Sequence, residues 1–322
     1  MVFRLTLMAS ILIFSSCSSF HKLGVRSATG VLKTAAKEME TESNWYLFKD
    51  AVPASLKTLE GLLFVDPTNK VLLLSLLKGH TIYGFGVGET LYLEDNYVNN
   101  QSTLNKEQAV AFYARAVQYG MRLLAELGIS YDDIIKASKS TTHNISSLLD
   151  QELNPENVMD KEAVFFTAQS WGGLINLQRS DFFLMSQLGV VKDLFDWSCR
   201  HDPNINFGSC QVFYGTYETG RPKMLGGNME KGIAHFQDGI KNHPDNLLIR
   251  TAYLQSYVIP AMDEKEYSVQ KEFLTKKFSQ LDKVWNHGPN GELNIKKSNL
   301  NLINAIARKR FEAIVKNEDE IF

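Results

Sequence analysis

The sequence predicts an all-α protein built from stacked antiparallel helical hairpins. Apolar residues recur at intervals of three and four along most of the chain, and no stretch alternates convincingly as a strand does. Three proline turns separate apolar stripes, at Asp66-Pro67-Thr68-Asn69, Asp202-Pro203-Asn204 and His243-Pro244-Asp245-Asn246. Proline cannot continue a helix but suits the first turn of the next one, where Asp and Asn accept hydrogen bonds from free amides. Each turn is therefore expected to join two antiparallel helices.

The apolar stripes place the helices in order. The first stripe runs from Val52 to Leu63, and residues 71–77 are apolar nearly all round, which predicts a buried helix. Further stripes cover residues 109–123, 164–175, 182–195, 233–240, 247–257, 273–284 and 300–314. The glycine series at 84–88 is expected to break a helix, the glycine-rich segment 220–227 to form a loop, and the polar segment 130–157 to form a helix pair.

One segment resembles a complete tetratricopeptide unit. Residues 228–246 combine a helix with a small-residue face and a Pro-Asp-Asn turn. The three proline turns are irregularly spaced, which is typical of a degenerate array with insertions. The fold prediction is therefore a degenerate tetratricopeptide-like array.

The first seventeen residues predict a bacterial lipoprotein signal peptide. Arg4 precedes an almost unbroken apolar run at 5–14, which is too short to span a bilayer as a helix. Small residues then precede Cys17, an order that resembles a lipobox and makes Cys17 the predicted lipidated residue. Ser18 in place of Asp predicts an outer-membrane anchor facing the periplasm. The alternative is an ordinary signal peptide cut elsewhere.

Four segments follow from these patterns. They are a signal peptide at 1–17, an N-terminal segment at 18–44, a helical domain at 45–315 and an acidic tail at 316–322. The tail, with three consecutive acidic residues at 318–320, is expected to be solvated. Since no second apolar run is judged to reach bilayer length, the mature part is expected to lack a membrane span.

Composition and motifs argue against several function classes. The 34 Lys and Arg nearly balance the 36 Asp and Glu without a basic stripe, so nucleic acid is not an expected partner. The seven histidines are scattered, and no zinc-type His pair, nucleophile elbow or P-loop is present. The glycines at 84, 86 and 88 lack the strand that precedes a nucleotide-binding loop. We therefore expect no metal, no cofactor and no catalytic residue, and interpret the chain as a non-enzyme.

Five aromatic residues lie beside glycines and are the candidate ligand-groove residues: Tyr83, Phe85, Trp171, Tyr214 and Tyr217. Glycine lets helices approach closely or leaves room beside a ring. Two interpretations are open, because the rings either pack between helices or line a groove for an apolar ligand.

Two cysteines besides Cys17 flank the second proline turn. Cys199 and Cys210 are the candidate disulfide, since the periplasm permits disulfide formation. The alternative is two small buried apolar side chains.

These features together resemble the tetratricopeptide-like T-component proteins of TRAP transporters (tripartite ATP-independent periplasmic transporters). Four stretches carry the resemblance: residues 51–73, Ala114 to Gly120, Ser170-Trp171-Gly172, and Leu225 to Phe236. With the lipoprotein signal, they extend over nearly the whole chain. The glycine series after Leu77 departs from the family, which more often has alanine and tyrosine there.

The resemblance implies a periplasm-facing lipoprotein accessory of a TRAP-type transport system. It implies a solute-binding protein as partner, a ring-like homotrimer with a hydrophobic pore, a small apolar ligand, and membrane contact through the lipid anchor only. The alternative function is a general tetratricopeptide-like scaffold for envelope protein assembly, with no small ligand.

Overall fold

The computed structural model describes residues 21–27, 29–31, 37–285 and 298–322. Within these ranges the regular secondary structure is helical and no strand is present, which confirms the all-α prediction. The predicted signal peptide, including Cys17, lies outside the described residues.

The helices from residue 45 onward follow one another with short connections. They are α1 (Trp45–Val65), α2 (Lys70–Tyr83), α3 (Thr90–Tyr97), α4 (Leu104–Glu126), α5 (Tyr131–Ser138), α6 (Ile145–Glu152), α7 (Val158–Leu177), α8 (Phe182–Met185), α9 (Leu188–His201), α10 (Ser209–Thr219), α11 (Met229–Asn242), α12 (Leu247–Tyr253), α13 (Glu264–Trp285), α14 (Asn301–Lys316) and α15 (Glu318–Ile321). Two π-helical segments, Gly84–Glu89 and Leu254–Val258, extend α2 and α12. Two short 3₁₀ helices cover Ile205–Phe207 and Lys223–Leu225.

The proline turns end helices where the sequence predicts. The preceding helices stop at Val65, His201 and Asn242. In the first and third turns, the side chains of Asn69 and Asn246 accept hydrogen bonds from the amides of the next helix. The second turn differs, because a 3₁₀ helix precedes α10 there and its flanking asparagine makes no side-chain cap.

Neighbouring long helices run antiparallel. Gly84 at the end of α2 meets the Tyr113 ring of α4, while Arg122 near the end of α4 donates to the carbonyl of Pro67 before α2 begins, at 2.9 Å. Helix α7 likewise runs against α4, since Gly173 faces Tyr113 and Gly120 faces Thr167. Helices α9 and α10 continue the row beside α7. The tetratricopeptide arrangement itself stays a prediction.

The last long helix joins the two ends of this row. Helix α14 packs against α12 and also against α1 and α3. The side chain of Asn301 donates to the carbonyl of Thr41 at 3.0 Å, and Arg310 donates to the carbonyl of Phe85 at 2.6 Å. The helices therefore surround a central space.

The glycine series after α2 does not break the helix, which corrects the sequence prediction. The chain widens into a π-helical segment, Gly84–Glu89, and continues as α3. A side chain at Gly86 or Gly88 would collide with Ile306 of α14 or Ala109 of α4, at 2.6 and 2.7 Å. The glycines let other helices approach a continuous, widened helix.

The acidic C-terminus forms a short helix, in which Asp319 and Glu320 are exposed, as expected for a solvated segment. Helix α15 folds back onto α13, where Glu318 pairs with Lys271. The Phe322 ring packs on the Tyr267 ring with centroids 4.6 Å apart. Residues 318 and 322 therefore contact the preceding long helix α13.

In the part of the chain that the structure describes, one continuous helical stretch is long enough to cross a bilayer. Residues Lys70–Tyr97 pass that test by length and composition, contrary to the expectation that no such run exists. The rest of the protein buries 61% of the most apolar part of this stretch, and a core helix passes the same test of length and composition.

Candidate functional site

A cavity of about 500 Å³ occupies the space that the helices surround. Its wall is mostly apolar, and its polar residues lie chiefly towards two opposite ends. The apolar lining comes from α2, α4, α7, α9, α10, α12, α14 and the segments between them, and includes Ile82, Phe85, Phe165, Phe166, Ile175, Met185, Leu188, Phe195, Val212, Phe213, Leu248, Leu302, Ile303 and Ile306. A volume of this size lies within the usual range for small-molecule sites.

Helix α7 runs along the whole cavity with one face. Its lining residues recur at intervals of three and four, as Glu162, Phe165, Phe166, Gln169, Gly172, Gly173 and Asn176. At 1.5 Å per residue, the distance along the helix from Glu162 to Asn176 is about 20 Å. The cavity is therefore elongated along α7.

Aromatic rings form a continuous wall between α7, α9 and α10. The Phe195 and Phe213 rings stack with centroids 3.7 Å apart, and Phe165 meets Phe195 edge-on at 5.5 Å. Tyr217 extends the row, 5.5 Å from Phe213. These contacts hold the rings in place on one side while the other side lines the cavity.

One end of the cavity carries more acid than base, and we call it the acidic end. Here Lys78 of α2 pairs with Glu162 at 2.7 Å and lies 3.7 Å from Glu40. Two carboxylates share one ammonium group, so this cluster carries a net negative charge. The same ammonium group lies 5.2 Å from the centroid of the Phe166 ring, at the start of the apolar wall.

The opposite end, which we call the basic end, carries two arginines. Arg179 is exposed and its Nε donates to Oδ1 of Asn176 at 3.1 Å. Arg221 stacks over the Tyr217 ring at 3.6 Å and donates to the carbonyl oxygens of Tyr217, Leu225 and Gly226. Arg221 therefore stabilises a loop, whereas Arg179 extends from the end of α7 into solvent.

Exposed apolar side chains surround the basic end. Helix α8 and the 3₁₀ helix after Arg221 lie beside it, and they expose Phe182, Phe183, Met224 and Leu225. Phe182 and Met224 are 88% and 89% exposed. We call these four residues the apolar rim, and clusters of this kind are typical of interaction sites.

A buried polar cluster lies behind the wall near the basic end. Arg310 of α14 donates to Phe85 O at 2.6 Å and to Thr90 Oγ1 at 3.0 Å, and pairs with Glu89 at 3.3 Å. Tyr113 donates to the other carboxylate oxygen of Glu89 at 2.7 Å, and its burial, with the charge of Glu89, raises its pKa well above the usual value. The charge of Glu89 at the cavity wall is thus compensated.

The two π-helical segments contribute to this cluster. The first frees the carbonyl of Phe85 for Arg310, and the carbonyl of Gly86 accepts from the Trp45 indole at 2.7 Å. The second places Gln255 so that its Oε1 accepts from Arg310 at 3.3 Å. The widened turns and one arginine together connect the two ends of the helical row.

The structure separates the five predicted groove residues into two groups. Phe85 and Tyr217 line the cavity. Tyr83, Trp171 and Tyr214 are not among its lining residues, so their placement in one shared groove is corrected. Their polar atoms already have internal partners, Lys49 O for Tyr83, Gln187 for Trp171 and Asp196 for Tyr214, which favours packing over ligand contact.

The two cysteines of the second proline turn are joined. The Sγ atoms of Cys199 and Cys210 are bonded at 2.07 Å. The bond links the end of α9 to the start of α10, two helices that carry the aromatic wall. It therefore fixes the wall at its acidic end.

Sequence reasoning missed several lining residues and the buried arginine. The stripe on α7 was read as a core face, although Gln169 interrupts it with an amide whose Oε1 is buried without a partner among the described residues. Arg310 lies four residues after Ile306 and four before Ile314, on the apolar face of its helix. A polar residue on an apolar face was the available signal in both cases.

In the described part of the chain, no group of three His, Cys, Asp or Glu residues is placed to hold a metal ion. A comparison with protein families matched residues 41–322 to the model described as TRAP transporter T-component. A comparison with curated proteins found no match.

Proposed function

Because the chain belongs to the TRAP transporter T-component family, we propose that it holds a small apolar ligand in its central cavity and presents it to a periplasmic solute receptor. Membership in this family makes it an accessory of a TRAP transport system in the bacterial envelope. Our proposal adds three things to this role: binding of a ligand, binding of a receptor, and a lipid anchor.

The open aromatic cavity carries the ligand proposal. Apolar surface that stays accessible forgoes about 25 cal/mol of stabilisation for each Å² left unburied. A fold that retains a cavity of about 500 Å³, lined by rings from three helices, is suited to an apolar occupant. A scaffold without a ligand has no need of such a cavity.

The apolar rim supports the receptor proposal. Arg26 pairs with Asp66 in the turn between α1 and α2, which lies on the side of the acidic end. A chain anchored through Cys17, nine residues before Arg26, would thus approach the membrane from that side. The rim at the opposite end would face the periplasm, where a receptor is available.

Probe binding tests the ligand site. The neutral fluorophore N-phenyl-1-naphthylamine should brighten on binding the full chain. Ile303→Trp, which fills the cavity wall, should abolish the signal, whereas Val269→Trp on the exposed face of α13 should leave it intact. Equal signals from the two variants would refute a ligand site in the cavity.

Receptor capture tests the rim. Phe183→Glu should reduce co-purification of the TRAP solute receptor from detergent-solubilised envelopes. Phe64→Glu is the control, because Phe64 is also an exposed phenylalanine but lies beside the α1–α2 turn. If Phe64→Glu abolishes capture and Phe183→Glu does not, the docking face is assigned to the wrong end.

Two further parts of the proposal have direct measurements. Cys17→Ser should abolish partitioning into detergent if Cys17 carries the lipid, and unchanged partitioning would exclude that anchor.

Sedimentation of the purified chain should give a homotrimer, and a monomer at all concentrations would exclude the homotrimer.

A further inference from the structure

We propose that the cavity takes a single-chain anionic amphiphile whose carboxylate lies at the basic end and whose apolar chain extends along α7 towards the acidic end. This inference rests on the proposed ligand role of the cavity and adds the charge and the direction of the ligand.

Arg179 supplies the group that would recognise the carboxylate. Its guanidinium has five N–H donors, and its bonds in the described structure go to one acceptor, Asn176 Oδ1. No carboxylate of the described residues lies within ion-pairing distance of it. The nearby carboxylate of Asp181 instead accepts from the amides of Phe183 and Leu184. A planar guanidinium at the cavity end is suited to bind a carboxylate.

The other arginine at this end is already occupied. Arg221 bonds to three carbonyl oxygens and lies 3.4 Å from Glu218. Its donors hold the loop that carries Met224 and Leu225 of the apolar rim. Arg179 is therefore the cation that a ligand can use without breaking existing contacts.

The acidic end sets the direction. Lys78 there is shared by Glu40 and Glu162, so a carboxylate placed beside them would meet like charge. The two ends are about 20 Å apart along α7, farther than the screening length of about 8 Å in physiological salt, so each acts locally. An anionic head group is favoured at one end and disfavoured at the other.

The wall between the ends fits an alkyl chain. Phe165, Phe195 and Phe213 line it, and the charge of Glu89 is compensated by Arg310. A second charged group on the ligand would have no free partner along this wall. A length of about 20 Å accommodates one extended alkyl chain of medium length.

Three probes with the same tail test the inference: dodecanoate, dodecanol and dodecylammonium. Each is titrated by calorimetry into the full chain carrying Cys17→Ser, so that no attached lipid competes. Dodecanoate should bind roughly fivefold more tightly than dodecanol, as expected for one partly exposed ion pair. Arg179→Gln should remove that preference and leave dodecanol binding unchanged. Arg122→Gln, which alters an exposed arginine outside the cavity lining, is the matched control and should keep the preference.

The outcomes separate this inference from the cavity proposal. Equal binding of all three probes, unaffected by Arg179→Gln but lost in Ile303→Trp, would overturn the inference and retain the cavity as an apolar site. Tightest binding of dodecylammonium, weakened by Glu162→Gln, would overturn it by placing a cationic head group at the acidic end. Binding of none of the probes would overturn both proposals.

Discussion

The cavity wall and the packed residues behind it both contain aromatic side chains. The two regions differ in whether those side chains have polar atoms with hydrogen-bond partners inside the protein. Outside the cavity lining, the indole of the buried Trp171 donates to Gln187 at 2.9 Å, and the hydroxyl of the half-buried Tyr214 donates to Asp196 at 2.8 Å. On the wall, Phe85 has no polar atom in its side chain, and Tyr217 offers its face to Arg221. At these four positions, the rings with an internally bonded polar tip lie outside the cavity lining, whereas Phe85 and Tyr217 line it.

The glycines beside these rings follow the same division. A side chain at Gly215, next to Tyr214, would collide with the Phe236 ring at 2.7 Å. That glycine lets α10 and α11 approach each other, and it does not open a groove. At Gly172 on the cavity side, the nearest atom to an added side chain would be Val191 at 3.4 Å, an ordinary contact. A neighbouring glycine alone therefore does not mark a ligand residue.

The largest expected difference between the two regions concerns stability. Trp171→Ala removes a buried ring and its hydrogen bond, and should lower the free energy of unfolding by about 3–5 kcal/mol. Tyr217→Ala removes a half-buried ring and one cation–π contact, and should cost about 1 kcal/mol. Urea denaturation measures both. Tyr217→Ala should also weaken N-phenyl-1-naphthylamine binding, and a larger stability loss for Tyr217→Ala than for Trp171→Ala would reverse the assignment of core and wall.

The core also holds a histidine, a residue type that is not among the cavity-lining residues. His80 is buried between Phe112 and Tyr119, and this burial lowers its pKa to about 4, with Glu60 partly opposing the shift. Because the folded state binds this proton less readily than the unfolded state, stability is intact above pH 6.5 and falls as the pH drops from 6.5 to about 4. The loss should reach about 3 kcal/mol.

Unfolding at a series of pH values measures this effect. His80→Gln cannot titrate, so its stability should depend less steeply on pH over the same window. Identical pH profiles for the native chain and the variant would show that His80 is not the group responsible.

A smaller change in the free energy of unfolding is expected for a substitution in the cavity wall. Gln169 buries an amide oxygen without a partner among the described residues, which costs free energy in the unliganded protein. Gln169→Leu should therefore raise the free energy of unfolding by about 1 kcal/mol. Gln211→Leu is the control, because Gln211 also buries an unpartnered oxygen but does not line the cavity. If only Gln169→Leu changes probe affinity, Gln169 is a ligand contact; a destabilised Gln169→Leu would contradict the present account.

Local patterns were sufficient to predict most of the long helices and the first and third proline turns. Periodicity located α2 and α7, and the Pro-Asn pattern located the turns at 66–69 and 243–246, because capping and helix termination depend on neighbouring residues. The π-helical segment after α2 was missed; its glycine at 86 packs closely against Ile306, a contact more than two hundred positions away that local patterns do not report. The ion pair between Glu89 and Arg310 was missed for the same reason, because the two residues lie far apart in the sequence.

The cavity was only partly predictable for the same physical reason. A helix face that lines a cavity is as apolar as one that packs in a core, so the stripe on α7 gives the same periodicity in both cases. Phe85 and Tyr217 were predicted as groove candidates, whereas Phe165, Phe195 and Phe213 were not. Whether such a face lines the cavity or packs in the core depends on which helix lies opposite it. That arrangement depends on α14, which joins the two ends of the helical row.

Photolabelling tests the central claim, that the cavity is an apolar ligand site, most directly. The full chain is irradiated with a neutral alkyl diazirine, and the modified residues are mapped by mass spectrometry. The account predicts labels on the cavity-facing parts of α7, α10 and α14, suppressed by excess N-phenyl-1-naphthylamine and absent from these helices in Ile303→Trp. Labels confined to the exposed rim at Phe182, Phe183 and Met224, or cavity labels that the competitor does not suppress, would contradict it.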